Sequence, residues 1–146
     1  MRFSSLEVSC FQGVQSARID FGPGLNVLYG PNDLGKSTLA AAIRAALLLP
    51  TGSSEAEALQ PWHSAEKASA TLAFVDDSGK HWRVKKTFGG AAGAQLSYSK
   101  DGVDWTPDVK AREVDEKLRT LLPWGIPSPG RKGAPRGLPE SFLTNQ

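Results

Sequence analysis

Apolar and polar positions alternate through the first twenty residues. Leu6, Val8 and Cys10 are separated by Glu7 and Ser9, and Ala17, Ile19 and Phe21 by Arg18 and Asp20. A period of two predicts two half-buried strands, paired through a turn at Gly13. Gly22-Pro23-Gly24 predicts another turn. Leu25-Asn26-Val27-Leu28-Tyr29 is a nearly unbroken apolar run, the pattern of a strand covered on both faces. Further on, Leu39 to Leu49 is rich in helix formers and apolar on nearly every side, which predicts a buried helix ended by Pro50.

Residues 51–66 are polar, with one short helical turn predicted at 54–59. From Ala68 the period of two returns. Ala70, Leu72 and Phe74 alternate with Ser69, Thr71 and Ala73, and Trp82 and Val84 alternate with His81, Arg83 and Lys85. The Asp76-Asp77-Ser78-Gly79 stretch between them predicts a turn. Leu96 and Tyr98 resume a strand after the glycines at 89, 90 and 93, and Lys100-Asp101-Gly102 predicts a hairpin into Val103–Trp105. Residues 68–105 therefore form an expected antiparallel β layer. Thr106-Pro107 predicts a helix start, and Val114, Leu118, Leu121 and Leu122 fall at i, i+4, i+7 and i+8 of an amphipathic helix over 107–122. Residues 123–139 are rich in proline and glycine, the composition of a loop. No repeat or heptad pattern occurs.

The chain's 146 residues, 40% of them hydrophobic, suit one domain with a real core. A single cysteine, Cys10, cannot form an internal disulfide and predicts a reducing, cytoplasmic compartment. No signal peptide or membrane-spanning run is present. Charge is unevenly divided: residues 1–78 hold 5 basic and 8 acidic side chains, and residues 79–146 hold 12 and 7. The second half is where a polyanionic partner is expected.

Gly30-Pro31-Asn32-Asp33-Leu34-Gly35-Lys36-Ser37-Thr38 lies between the apolar run and the apolar helix, and it fits G-x-x-x-x-G-K-[ST]. Glycines at 30 and 35 allow a tight turn whose N–H groups point inward at an anion, and the following helix start adds its positive end. Lys36 is expected to reach the β- and γ-phosphates of a nucleoside triphosphate, and the Ser37 hydroxyl to join the shell of a Mg²⁺. The plainer reading, a glycine-containing turn with a solvated lysine, fits the flanking elements less well.

Other groups admit two readings. His81, Arg83 and Lys85 share one strand face, with Lys80 and Lys86 adjacent. They are either a contact surface for nucleic-acid phosphates or a solvated sheet face. Arg131, Lys132 and Arg136 pose the same choice in the loop. Trp62, Trp82, Trp105 and Trp124 are core residues or stacking platforms. His63 and His81 lack partners at metal-ligand spacing. Cys10 reads as a buried small hydrophobe.

Phe11, then Phe21-x-x-Gly24-Leu25-Asn26-Val27-Leu28-x-Gly30-Pro31-Asn32-x-x-Gly35-Lys36-Ser37-Thr38-Leu39, resembles the N-terminal lobe of the SMC/RecF/SbcC type of ABC-class ATPase, which serves chromosome maintenance and double-strand-break repair. Asp33 is similar to a branch of large SbcC-like bacterial ATPases. The match is tight over 1–49 and looser after it. The resemblance implies an α/β P-loop NTPase fold, an N-terminal half with an antiparallel β layer packed beside a Walker A strand, loop and helix. The nucleotide-binding set it implies is Gly30, Asn32, Asp33, Leu34, Gly35, Lys36, Ser37 and Thr38, with ATP and Mg²⁺ as cofactors and Asn32 near the γ-phosphate. Gln12 stands where a basic residue often follows the early phenylalanine, a departure in a strand that commonly contacts nucleotide.

Residues 1–146 then read as the N-terminal ATPase lobe of a longer chain, whose Q-loop glutamine is Gln146 or lies just beyond it. Ser141-Phe142-Leu143 resembles the approach to that loop. No late apolar strand ending in Asp-Glu and no Leu-Ser-Gly-Gly-like signature occurs. The implied partners are the C-terminal half of the ATPase, a second copy bound through ATP, double-stranded DNA and a nuclease subunit, in the cytoplasm or on the nucleoid. The expected DNA contacts are Lys80, Arg83, Lys85 and Lys86. A nucleotide-binding module of another ABC or P-loop type without a DNA role is the alternative, and a structural domain that binds nucleotide without turnover is a third reading.

Overall fold

A computed structural model of the chain describes residues 1–31, 35–61, 65–89 and 92–122. Strand β1 (Arg2–Phe11) turns at Gln12-Gly13 into β2 (Val14–Asp20), and Leu6 faces Ile19 while Phe11 faces Val14 across the pair. Four more strands follow helices α1 (Lys36–Leu48) and α2 (Ser54–Glu57): β3 (Ser69–Val75), β4 (His81–Thr87), β5 (Gly93–Ser99) and β6 (Thr106–Lys110). Helix α3 (Arg112–Leu121) comes last. The strands form one 6-stranded sheet in the order β2-β1-β3-β4-β5-β6, and every neighbouring pair is antiparallel.

The alternation read in the sequence decides which side is covered. Leu6 and Val8 of β1, Ala70, Leu72 and Phe74 of β3, Trp82 and Val84 of β4, and Leu96 of β5 are all buried. Helix α1 lies against β1, β3 and β4, α3 lies against β5 and β6, and the two helices touch. Ala42, Ala45 and Ala46 let α1 approach closely, while Val114 and Leu118 form the buried stripe of α3. Phe11 and Phe88 meet edge to face with centroids 5.9 Å apart. The opposite side of the sheet is polar and open.

The β3–β4 turn is held by one carboxylate. Asp76 Oδ1 accepts from the Ser78 and Lys80 amides at 2.8 and 3.0 Å, and Oδ2 accepts from Trp82 Nε1 at 2.8 Å. Trp82 is thereby buried with its one donor satisfied. Despite some loss of solvation, these bonds lower the Asp76 carboxyl to about 2.

The structure corrects three expectations. Residues 25–29 form no strand, and Leu25 and Tyr29 are 91% and 92% exposed. An apolar run needs cover on both faces to be a buried strand, and no described residue supplies it. The hairpin expected to lead into Val103–Trp105 is instead a tight loop: Asp101 Oδ1 accepts from the Val103 and Asp104 amides. Thr106–Lys110, expected to begin a helix, is a strand, and the helix starts only at Arg112. Pro107 is tolerated because β6 is the edge of the sheet.

A further correction, beyond these three, concerns Lys86, expected on a DNA-contact surface. It is 0% exposed. Its ammonium donates to the Leu49 carbonyl at 2.9 Å and to Asp115 Oδ1 at 2.7 Å. The period of two that turns Trp82 and Val84 inward turns Lys86 inward as well. Burial pushes its pKa down, and Asp115 opposes that shift.

Candidate functional site

Two regions gather the chemistry. The first is the N-terminal end of α1. Gly35 occupies the N-cap position with φ 77 and ψ 17, a left-handed conformation that glycine adopts freely. A Cβ on Gly35 would stand 2.5 Å from Val14 Cγ2, so a side chain is also excluded by the neighbouring hairpin. No side chain caps the helix, and its first turn holds no acidic residue. The first helical bond is Leu39 N–H to the Gly35 carbonyl. The amides of Lys36, Ser37 and Thr38 thus precede the intrahelical ladder, and no acidic side chain of the first turn offsets the helix dipole there.

Lys36 reaches back across the loop, and its Nζ donates to the carbonyls of Gly30 at 2.8 Å and Pro31 at 2.5 Å. Ser37 is exposed and Thr38 half-buried beside it. Just before the loop, Asn26 ties the Gly22–Gly24 turn: its side chain accepts from Gly22 N–H at 2.8 Å and donates to the Gly22 and Gly24 carbonyls, both at 3.1 Å. The structure therefore brings Gly30, Gly35, Lys36, Ser37 and Thr38 together. Asn32, Asp33 and Leu34 lie outside the described residues, as do Trp62, His63, Trp124, Arg131, Lys132, Arg136, Ser141, Phe142, Leu143 and Gln146. The part of Asn26 in fixing the approach was not read from the sequence, although an Asn two residues after a Gly-Pro-Gly is a legible turn signal.

The second region is the open face of the sheet. Cross-strand register lines up Arg18, Glu7, Thr71, Lys85 and Gln95 in one row. A neighbouring row holds Ser5, Ala73, Arg83 and Ser97. Small residues in the second row leave a hollow of about 450 Å³. Arg83 folds over the Trp105 ring with its guanidinium carbon 4.5 Å from the centroid. Arg18 pairs with Glu7 and with Asp20, and these contacts, Asp20 first, hold its guanidinium firmly protonated.

Of the four expected DNA contacts, then, Arg83 and Lys85 share this face. Lys80 does not join them. Its ammonium lies 4.5 Å from the Trp82 ring centroid and 4.0 Å from that of Tyr98, on the helix side of the sheet. Lys86 is buried, as described. Trp105, read in the sequence as either core or a stacking platform, also belongs to the hollow, whereas Arg18 and Glu7 were not singled out as contacts and become visible only when strand register is known.

Elsewhere, Cys10 is buried as expected, and its thiol donates to Glu66 Oε2 at 2.9 Å. No group of three or more metal-binding side chains occurs among the described residues. No described helix is long and apolar enough to cross a membrane.

Known structures share this architecture. The chain is similar to a structure from work on ATP-driven dimerization and DNA-stimulated activation of SMC ATPases, with a TM-score of 0.58, 18% identity, and 84% of this chain and 82% of that one covered. The SMC head domain from Thermotoga maritima gives a TM-score of 0.54 at 19% identity, over 82% of this chain and 41% of that one. The fold is therefore that of an α/β P-loop NTPase of the SMC head type. Residues 5–120 match the family described as an AAA domain, and the chain belongs to that family, as an N-terminal lobe of the SMC/RecF/SbcC type of ABC ATPase.

Among curated proteins, the DNA replication and repair protein RecF of Bifidobacterium adolescentis is 28% identical, over 81% of this chain and 31% of its own length. The DNA double-strand break repair Rad50 ATPase of Methanopyrus kandleri is 30% identical, over 73% of this chain and 12% of its own. The chain thus spans less than a third of these relatives.

Proposed function

We propose that this chain is the ATP-binding half of a DNA-repair or chromosome-segregation ATPase, and that Gly30–Thr38 cradles the phosphates of Mg-ATP. The observation that carries this reading is the bare start of α1: successive N–H donors with no side-chain cap, no acidic residue in the first turn, and a lysine whose ammonium reaches the Gly30 and Pro31 carbonyls. Such a donor set lacks only an anion. In this reading Lys36 exchanges its carbonyl partners for the β- and γ-phosphates, and the Ser37 hydroxyl holds the metal. Bound Mg²⁺ would neutralise phosphate charge as it develops. Asn32, Asp33 and Leu34 complete the loop.

Hydrolysis also needs carboxylates, one for the metal and one to orient water. Asp76, which follows the apolar Leu72–Val75, is the nearest sequence candidate. Its oxygens are committed to the turn and to Trp82. The catalytic carboxylates are therefore assigned to a C-terminal half, and the signature motif to a second copy that dimerises on ATP. The exposed run at 25–29 favours the same arrangement, because such a run asks for a covering segment. Arg83 and Lys85 are proposed to meet the phosphates of double-stranded DNA, with a nuclease subunit as a further partner, in the cytoplasm.

Calorimetry of Mg-ATP with this chain and its Lys36→Ala variant tests the reading. Weak binding is expected, lost in the variant, together with no steady turnover. Equal affinity in both proteins would remove the phosphate-cradle assignment. A turnover rate that disappears in Lys36→Ala would place a catalytic carboxylate within these residues.

A further inference from the structure

The open face of the sheet carries a feature that a simple phosphate-contact surface does not require. Arg18 is neutralised by Glu7 and Asp20, whereas Arg83 and Lys85 make no ion pair among the described residues. These two cations stand beside a floor of small polar or short residues, Ser5, Thr71, Ala73 and Ser97. The floor is concave rather than flat, and its volume of about 450 Å³ lies in the range of small-ligand clefts, roughly 300–1,000 Å³. At its edge stands an indole with a guanidinium lying over it. Gln95, opposite Lys85, adds a neutral amide that can donate and accept.

We propose that this hollow receives an unpaired nucleotide of a single-stranded segment, so that the face prefers single-stranded over duplex DNA. The proposal rests on reading this face as a nucleic-acid contact, and it names the form of nucleic acid. Three chemistries coincide there. Lys85 and Arg83 neutralise the flanking phosphates, which any nucleic acid supplies. The Arg83–Trp105 pair offers a π-platform, and aromatic rings and guanidinium planes both stack bases that are free of their duplex. The hydroxyls of Ser5, Thr71 and Ser97 and the Gln95 amide can hydrogen-bond an exposed base edge or sugar. A duplex offers a sheet its phosphate ridges and groove edges but keeps its base faces covered. Its bases are stacked on each other and cannot enter the hollow without being flipped out. Acidic peptides would satisfy the two cations but leave the stacked pair and the neutral floor unexplained.

The test measures binding of this chain to an oligo(dT) strand and to a blunt duplex of the same length, each across a salt series. The wild type is expected to bind the single strand about tenfold more tightly, the scale of one base–aromatic stack. Trp105→Leu should erase that preference and leave duplex binding unchanged, whereas Trp105→Phe should keep most of it. Lys85→Gln should weaken both ligands and lower the salt slope. Trp105 is half-buried, so circular dichroism checks the fold of Trp105→Leu; should that variant unfold, Gln95→Ala, a smaller truncation at a likewise half-buried polar position, must reduce the single-strand preference in its place. Duplex binding at least as tight as single-strand binding would overturn the proposal while leaving the broader DNA-contact reading standing. A preference that survives Trp105→Leu in a folded protein would overturn it as well. Binding of neither ligand would remove both, and would leave the ATP site to be judged by Lys36→Ala alone.

Discussion

Lys86 Nζ lies 2.7 Å from Asp115 Oδ1 beneath the sheet, and the same ammonium holds the Leu49 carbonyl at the end of α1. One buried cation therefore ties β4 to both helices. A buried pair is costly to assemble and costlier to break, because the survivor is left charged in a poor solvent. Lys86→Ala should destabilise the chain by about 3–5 kcal/mol. Lys86→Met combined with Asp115→Leu should be near neutral or stabilising, since it removes both charges and keeps volume. Urea denaturation of the two variants measures this. A single substitution costing no more than the double would mean that the pair does not hold these elements together.

Much of the fold was legible, and the reasons differ by element. The strands of the first hairpin and of β3 and β4 follow from alternation, because one buried face forces a period of two. Lys86 was misplaced although the same alternation contained its answer: residue type suggested water, but position dictated the core. The run at 25–29 was misread for the opposite reason. Its composition suggests a covered strand, yet whether cover exists depends on residues far away in sequence or on another chain. Around Thr106-Pro107, two local signals competed. Proline at a helix start and proline on an edge strand look alike until the neighbour of β5 is known. For the candidate site, the loop motif could be read residue by residue, whereas the hollow could not, because it is assembled from five strands and the residue preceding a sixth.

Asp76 gives a pH dependence of definite sign. Its carboxyl is lowered from an ordinary 3.8 to about 2 by the Ser78 hydroxyl, Trp82 and the turn amides. A carboxyl lowered in the folded state contributes stability that is complete above the unfolded value. That contribution is lost as pH falls from about 4 to 2. Asp76→Asn should lower stability at neutral pH and flatten its decline through that acid window. Asp101 is also lowered to about 2, first by the Val103 amide, so some decline must persist in the variant. Thermal unfolding followed at several acid pH values distinguishes the two proteins. Identical slopes would show that the Asp76 bonds do not survive in solution.

Gly35 faces two independent constraints, its left-handed backbone and the side chain of Val14. Gly35→Ala should therefore cost at least about 1–2 kcal/mol from the backbone conformation alone, with a further loss from the contact. Adding Val14→Ala removes the contact but not the backbone strain. The double variant should thus be less destabilised than the sum of the two single changes, which a double-mutant cycle measures. Simple additivity would mean that the β1–β2 hairpin does not press on the start of α1.

The run at 25–29 supplies the sharpest contrast with the core. Leu25 and Tyr29 are 91% and 92% exposed, whereas Leu72 is 0% exposed. A side chain that buries nothing on folding loses little when it is made polar, within about 0.5 kcal/mol. Leu25→Ser and Tyr29→Ser should therefore leave the unfolding midpoint of this chain nearly unchanged. Leu72→Ala should cost about 2–5 kcal/mol, the usual loss for truncating a packed leucine. Amide exchange should agree, with residues 25–29 exchanging readily and β3 protected, because no backbone ladder is present in the first and a complete one is present in the second. The same serine substitutions should become costly once a covering segment is present, since the run would then lose buried apolar surface. A loss of 2 kcal/mol or more from Leu25→Ser in this chain alone would mean that the run already packs as a strand here, and that its cover lies within these 146 residues.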